Sequence, residues 1–371
     1  MNGNSTRRVG VEADGKGVVA YVGLHALGTF ADRLGLGDSL SARVPWAGER
    51  APVHDRGKVL VQAMLMLAGG GEAVSDIEAL RCQATLFGPV PSAPTLYRTV
   101  RNELAASVVA DLRDAFAGVR RDVWARSAAT TGTASVVLDI DASLVQVHSE
   151  NKEHTAATYK GGFGFHPMFC FADATGEALA AILRPGNAGA NTVADHLAVL
   201  DTAIGQLPDI VASGHRVGED PALAQRPVMV RTDSAGCTHG FVNGCRDRNI
   251  GFAVAARSNA SVHAAISRVA HNADAWTPAL TQAGERRRGA SVCEVTELVD
   301  LDNWPEGTRL IIRREPLHPG AQRSLFPSLA YRFWGHYTDQ AGEAVDLDVT
   351  MRAHAHVENH IARLKDAGLE R

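Results

Sequence analysis

Ser135-Val-Val-Leu-Asp-Ile-Asp-Ala-Ser-Leu-Val-Gln-Val147 is the stretch on which the reading of this chain turns. In an extended strand Val137, Asp139, Asp141 and Ser143 share one face, while Leu138, Ile140, Ala142 and Leu144 cover the other. Ionised carboxylates in so apolar a strand are costly without a cation or a hydrogen-bonded partner. Asp139 and Asp141 are therefore candidate metal ligands, and a plain salt-bridge role is the alternative. Two further acids match them. The apolar run Pro227-Val-Met-Val-Arg-Thr-Asp233 closes on Asp233, and Glu358 falls in a helical stretch from about 351 to 365 with Val357, Ile361 and Leu364 along one side. Two strand carboxylates and one helix carboxylate can converge on hard cations such as Mg²⁺ or Mn²⁺, which take oxygen ligands. Two such ions about 4 Å apart stabilise the attacking and leaving oxygens of an in-line phosphoryl displacement.

Working outward, the period is helical before this stretch and mixed after it. Gly23 to Leu34 and Lys58 to Ala68 read as helices, the second stopped by Gly69-Gly70-Gly71. Ser75 to Arg81 and Ser92 to Arg98 have the caps of a short helix-turn-helix. From Ser135, three strands (135–147, 163–171, 178–183) form an antiparallel meander. A helix capped by Asn191 or Thr192 follows, then the strand ending at Asp233, a short helix and the strand Gly251 to Ala256. Strand-like runs at 291–299, 309–313 and 331–337 read as a β-rich insertion, and helix returns from Thr350. The resulting division is a helical region at 1–130, a mixed α/β core at 131–257, a β-rich insertion at 258–348 and a final core helix at 349–371.

Composition narrows the classes. The 371 residues carry 37 Lys plus Arg against 41 Asp plus Glu, a formal charge of −4, which argues against a uniformly basic nucleic-acid coat protein. Local basic clusters remain at Arg7-Arg8, Arg120-Arg121, Arg286-Arg287-Arg288 and Arg313-Arg314. Cys82, Cys170, Cys237, Cys245 and Cys293 are odd in number and never spaced Cys-x-x-Cys, which fits a reducing cytoplasm. Cys237, His239 and Cys245 read as packing thiols and a surface histidine rather than a metal site. No run reaches the ~20 apolar residues of a membrane helix, and the start lacks the apolar core of a secretory signal.

Leu138-Asp-Ile-Asp-Ala-Ser143, Arg184-Pro-Gly-Asn187, Arg231-Thr-Asp-Ser234 and Glu358-Asn-His-Ile-Ala-Arg-Leu-Lys365 resemble the DDE-domain transposases of bacterial insertion sequences, most closely the insertion-sequence 1380 group. The resemblance spans about residues 20 to 371. It implies an RNase H-like core with a β-rich insertion before the last catalytic helix, and an enzyme that binds terminal inverted repeats, hydrolyses DNA phosphodiesters and transfers strands. By the same resemblance Asp141, Asp233 and Glu358 are the catalytic metal ligands for two Mg²⁺ or Mn²⁺ ions, with Asp139 the alternative to Asp141. Asp141 is favoured because the Asp-x-Ser pattern at the strand end resembles the family's first acidic position. The partners implied are transposon-end and target DNA and further copies of the chain, in the cytoplasm and on the nucleoid.

The wider group carries Tyr-x2-Arg-x3-Glu-x6-Lys on the last helix. Glu358 and Lys365 fit; Met351 stands at the Tyr position and His354 at the Arg position, with Arg352 beside it. Lys365, and Arg352 or His354, are thus the expected DNA contacts. Two other readings compete. A zinc hydrolase would use His354, His356 and His360, although His-Val-Glu-Asn-His is not the zincin order. A binding-only product would recognise DNA ends without cutting, since the chain stops just after the presumed catalytic helix.

Overall fold

A computed structural model describes residues 21–44, 46, 48–104, 106–127, 135–220, 223–317 and 331–369. The Arg7-Arg8 cluster and the last two residues lie outside them. The chain divides into two compact units, Met1–Val108 and Val109–Arg371.

The first unit is helical: α1 (Val22–Arg33), α2 (Leu36–Ser41), α3 (Arg56–Ala68), α4 (Ile77–Arg81), α5 (Ala84–Phe87) and α6 (Ala93–Arg98). The Asp55 side chain caps α3 by accepting from the Lys58 backbone N–H at 2.9 Å. Leu40, Val59, Ile77, Leu80 and Leu96 make the unit's interior. The expected helix-turn-helix is corrected here. Both segments are helical, but α5 stands between α4 and α6, where that motif has a turn of three or four residues.

The second unit begins within α7 (Ala106–Trp124) and is built on a nine-stranded sheet. Its strands are β1 (Val136–Ala142), β5 (Met168–Ala172), β6 (Glu177–Ile182), β7 (Val228–Thr232), β8 (Gly251–Ala255), β9 (Thr277–Leu280), β10 (Arg286–Glu294), β11 (Arg309–Pro316) and β12 (Tyr331–Thr338). They lie in the order β6-β5-β1-β7-β8-β12-β11-β10-β9. β1, β7 and β8 are parallel, and every other neighbouring pair is antiparallel. The strands of the expected insertion therefore extend the core sheet through the β8–β12 pairing, rather than forming a layer of their own.

The expected meander is also more broken than its periodicity suggests. Ser143 N–H still bonds Pro167 O at 3.1 Å, but beyond it the chain peels away. Proline at 167 has no N–H with which to carry the ladder across from β4 to β5. β2 (Val145–Val147), β3 (Ala156–Ala157) and β4 (Phe163–Phe165) make a separate small sheet.

Helices α8 (Val193–Ile204), α9 (Asp209–Ala212), α10 (His239–Asp247) and α11 (Ala260–Val269) follow the chain between these strands. Leu138 and Ile140 of β1 join Leu200, Phe241, Phe252 and Val262 in the main core on one face of the sheet. The opposite face is covered by α12 (Ala344–Arg352) and α13 (His356–Leu364). Leu347 packs with Val292 and Ile311, and Val357 and Ile361 pack with Phe169 and Phe171. Each such buried side chain contributes about 1.5–3 kcal/mol of transfer free energy, which fixes α13 across β5 beside β1. Helix starts at Ala344, earlier than the sequence suggests, and is interrupted by a tight turn at Ala353–Ala355.

Candidate active site

In the parallel β1–β7 pair Asp139 stands opposite Arg231. Arg231 is the largest fully buried side chain, 1% exposed. Its Nε donates to Asp139 Oδ1 at 2.8 Å and its Nη2 to Asp139 Oδ2 at 2.6 Å. It also reaches Asp173 Oδ1 at 2.8 Å and donates from Nη1 to Thr350 O, in the last turn of α12, at 2.7 Å. His354, in the turn between α12 and α13, donates from Nδ1 to Asp139 Oδ1 at 2.8 Å. Burial pushes the Asp139 carboxyl up, but the hydrogen bonds from His354 and Arg231 outweigh it, and the carboxyl is held below the ordinary carboxylate range. Both oxygens of Asp139 are thus taken by Arg231, and Oδ1 also by His354, in a clamp that ties two strands to the helical junction.

The three candidate acids sit one step further along these elements. Asp141 is two residues past Asp139 on β1, Asp233 follows the end of β7, and Glu358 lies in the first turn of α13. Asp141 is half-buried; Asp233 and Glu358 are exposed. The Asp141 carboxyl is pushed up to about 6. Burial is the main cause and repulsion from Asp233 and Glu358 adds to it, while the Ala142 N–H, at 2.7 Å, and His354 oppose it. The two other acids therefore face Asp141 closely enough to act on its charge, which is the electrostatic state a cation relieves. Among the described residues no group of three or more His, Cys, Asp or Glu is drawn tightly enough to hold a metal as the side chains stand.

Asp233 is held in its loop by two devices. Its Oδ1 accepts from the Ala235 N–H at 2.9 Å, and Arg257, just beyond β8, donates to Ser234 O at 2.9 Å and Ala235 O at 3.3 Å. Gly236 is small for a packing reason: a Cβ there would lie 2.2 Å from Thr232 Oγ1.

A sign follows for pH. The folded chain holds a proton on Asp141 more tightly than the unfolded chain, whose carboxyl titrates near 3.8. Asp141 therefore costs stability that is absent below pH 4 and fully felt above pH 6, on the order of 3 kcal/mol. Asp141→Asn should raise the metal-free thermal midpoint at pH 8, the gain vanishing near pH 4. Thermal melts at both values, with and without Mg²⁺, check this, and Mg²⁺ should stabilise wild type more at pH 8.

The expected DNA contacts are differently placed. Lys365 Nζ donates to Leu144 O at 3.1 Å. Arg352 pairs with Asp348 at 2.9 Å and donates to Leu280 O. His354 is 8% exposed and faces Asp139. All three are engaged within the fold. Nor do His354, His356 and His360 form a zinc site. His360 stacks on Phe171 with ring centroids 5.3 Å apart, and exposed His356 lies 3.9 Å from Asp173. His239 packs on the Trp304 ring and Cys245 is buried.

Of the basic clusters, Arg120 pairs with Glu177 at 2.6 Å and Arg121 reaches Asp209 at 3.7 Å. Arg313 pairs with Glu315 and Asp348 at 3.1 and 3.4 Å, and Arg314 lies over the Trp276 and Tyr331 rings. Arg286 and Arg288 are exposed. Sequence reasoning gave no role to Arg231, Arg257 or Asp173. The one signal available was a charged residue inside the apolar run 227–233.

No described helix is long and apolar enough to cross a membrane. No curated protein matches the chain. The family model described as Transposase DDE domain group 1 matches residues 1–369. Its members are nucleic-acid-cleaving enzymes of DNA transposition and recombination that act on DNA and generally use divalent metal ions. A mixed sheet with carboxylates gathered at the ends of its parallel strands agrees with that match, and the chain belongs to the transposase DDE domain family, group 1.

Proposed function

We propose that this protein is the transposase of an insertion sequence, which binds the terminal inverted repeats of its element, hydrolyses phosphodiester bonds there and joins the freed 3′-hydroxyl to target DNA. The observation that carries the reading is the placement of Asp141 and Asp233 at the ends of adjacent parallel strands, with Glu358 in the first turn of the helix that packs across β5 beside β1, so that both other acids push up the Asp141 carboxyl. The strand order β6-β5-β1-β7-β8 supports an RNase H-like core, with Asp141 and Asp233 at the C-terminal ends of adjacent parallel strands. In this reading these two and Glu358 hold two Mg²⁺ or Mn²⁺ ions. Asp141 is the ligand in preference to Asp139, whose oxygens Arg231 and His354 already occupy.

Bound cations supply charge neutralisation at the attacking and leaving oxygens. The chain's own residues do the positioning. Asp139, Arg231 and His354 fix the helical junction against β1 and β7, and Arg257 holds the Asp233 loop. Asp141 must give up its proton to bind, so activity should rise through about pH 6.

The DNA follows the same sheet face. Asp139 is in register with Arg231, Arg231 with Ala253, and His336 with Ala255, so the alternation puts Arg332, Trp334 and Arg313 on the side of the acids. Trp334 is 40% exposed, with Arg313 at 4.8 Å and Arg332 at 5.7 Å from its ring. An exposed aromatic flanked by guanidinium groups suits bases and phosphates. Trp334→Ala should weaken binding of end DNA about tenfold or more, and Arg332→Ala should lower the salt slope of binding by about one, both read by fluorescence anisotropy. Residues 1–130 are the proposed end-recognition region, and the chain acts as a homo-oligomer on DNA. The test of the whole reading is cleavage of labelled DNA carrying the element's end in Mn²⁺ against EDTA. End-specific binding with no cleavage in Mn²⁺ would assign a binding-only protein instead.

A further inference from the structure

The three acids stand on a second set of three residues, one step earlier on each element. Asp139 precedes Asp141 and Arg231 precedes Asp233 by two positions on their strands, and His354 precedes Glu358 by one helical turn. Such spacings keep each pair on one face. The earlier three are bonded to one another through Asp139, so a shift in any of them passes to the acids above.

Within this set His354 has a nitrogen to spare. Its Nδ1 donates to Asp139, so Nε2 is the ring nitrogen left to meet another group. That Nε2 is buried and has no hydrogen-bond partner among the described residues. Buried polar atoms are almost always met by protein or by water. Asp141 stands two residues past Asp139 on the same face of β1.

We propose that His354 is a positioning residue for cation binding. Nδ1 fastens the helical junction to Asp139, and Nε2, through one bridging water, holds the Asp141 carboxylate in the orientation that receives a divalent cation. The proposal rests on the assignment of Asp141 as a ligand made above.

His354→Asn separates the two nitrogens, because the asparagine amide keeps a donor near the Nδ1 position and offers nothing at Nε2. With the full-length chain, Mn²⁺ titrations followed by electron paramagnetic resonance of the free ion should show affinity reduced about tenfold or more in His354→Asn, the range seen for partners of metal ligands. Its metal-free thermal midpoint should stay close to that of wild type. A second readout needs no variant to fold: in ¹⁵N-histidine-labelled wild type, Mg²⁺ should shift the Nε2 resonance of His354 and leave Nδ1 in place. Wild-type Mn²⁺ affinity in His354→Asn, while Asp141→Asn has lost it, would overturn the role of Nε2, as would an Nε2 resonance indifferent to Mg²⁺. Undiminished Mn²⁺ binding by Asp141→Asn would overturn the ligand assignment itself, and this proposal with it.

Discussion

Arg231→Met should cost about 3–5 kcal/mol of folding stability. The substitution keeps much of the side-chain volume but removes the charge that meets both Asp139 oxygens and the Asp173 carboxylate, and the donor to Thr350 O. Asp139, 2% exposed, would be left ionised and facing only His354. The pH dependence should change sign. In wild type the Asp139 carboxyl is held below its ordinary 3.8, so the stability it contributes is present above that value and lost as pH falls through the folded-state pKa. Without Arg231 burial dominates, the carboxyl moves up, and the destabilisation grows as pH rises. Urea denaturation at pH 5 and pH 8 checks this: the deficit of the variant should be larger at pH 8. Adding Asp139→Asn should return part of the loss, because the orphaned charge then disappears.

Asp233→Asn should abolish DNA cleavage, by about a thousandfold or more, while leaving folding and end binding intact. A thousandfold is about 4 kcal/mol of transition-state stabilisation, within what cation neutralisation supplies to phosphoryl transfer. Folding is spared because Asp233 is exposed and its carboxylate accepts the Ala235 N–H, which an asparagine oxygen also accepts. Asp139→Asn should behave differently. It gives up charge inside the clamp and loses stability together with activity. Parallel cleavage, binding and melting measurements on the two variants separate a residue that meets the cation from one that holds the frame.

What could be read from the sequence follows from how local each signal is. The positions of Asp141 and Asp233 were legible because strand alternation and the end of an apolar run are properties of neighbouring residues. The helix that carries Glu358 was legible from the spacing of Val357, Ile361 and Leu364, while Glu358 itself was singled out only by resemblance. Arg231 was not, since its partner is 92 positions away and nothing local says that a charge inside a strand will be met. The same limit hid the partner of His354, since Asp139 lies 215 positions away. Strands β10 to β12 were legible as strands. Their attachment to the core rests on the three paired positions between β12 and β8, which no periodicity records.

The proposed function requires Asp141, Asp233 and Glu358 to meet at one cation site. The most direct test is a crystal of the full chain soaked in Mn²⁺, with anomalous scattering to locate the ion. Peaks bounded by those three carboxylates are expected, with Asp139 still clasped by Arg231 and His354. Strong peaks elsewhere, at His356 and His360 for instance, with none between the three acids, would contradict it.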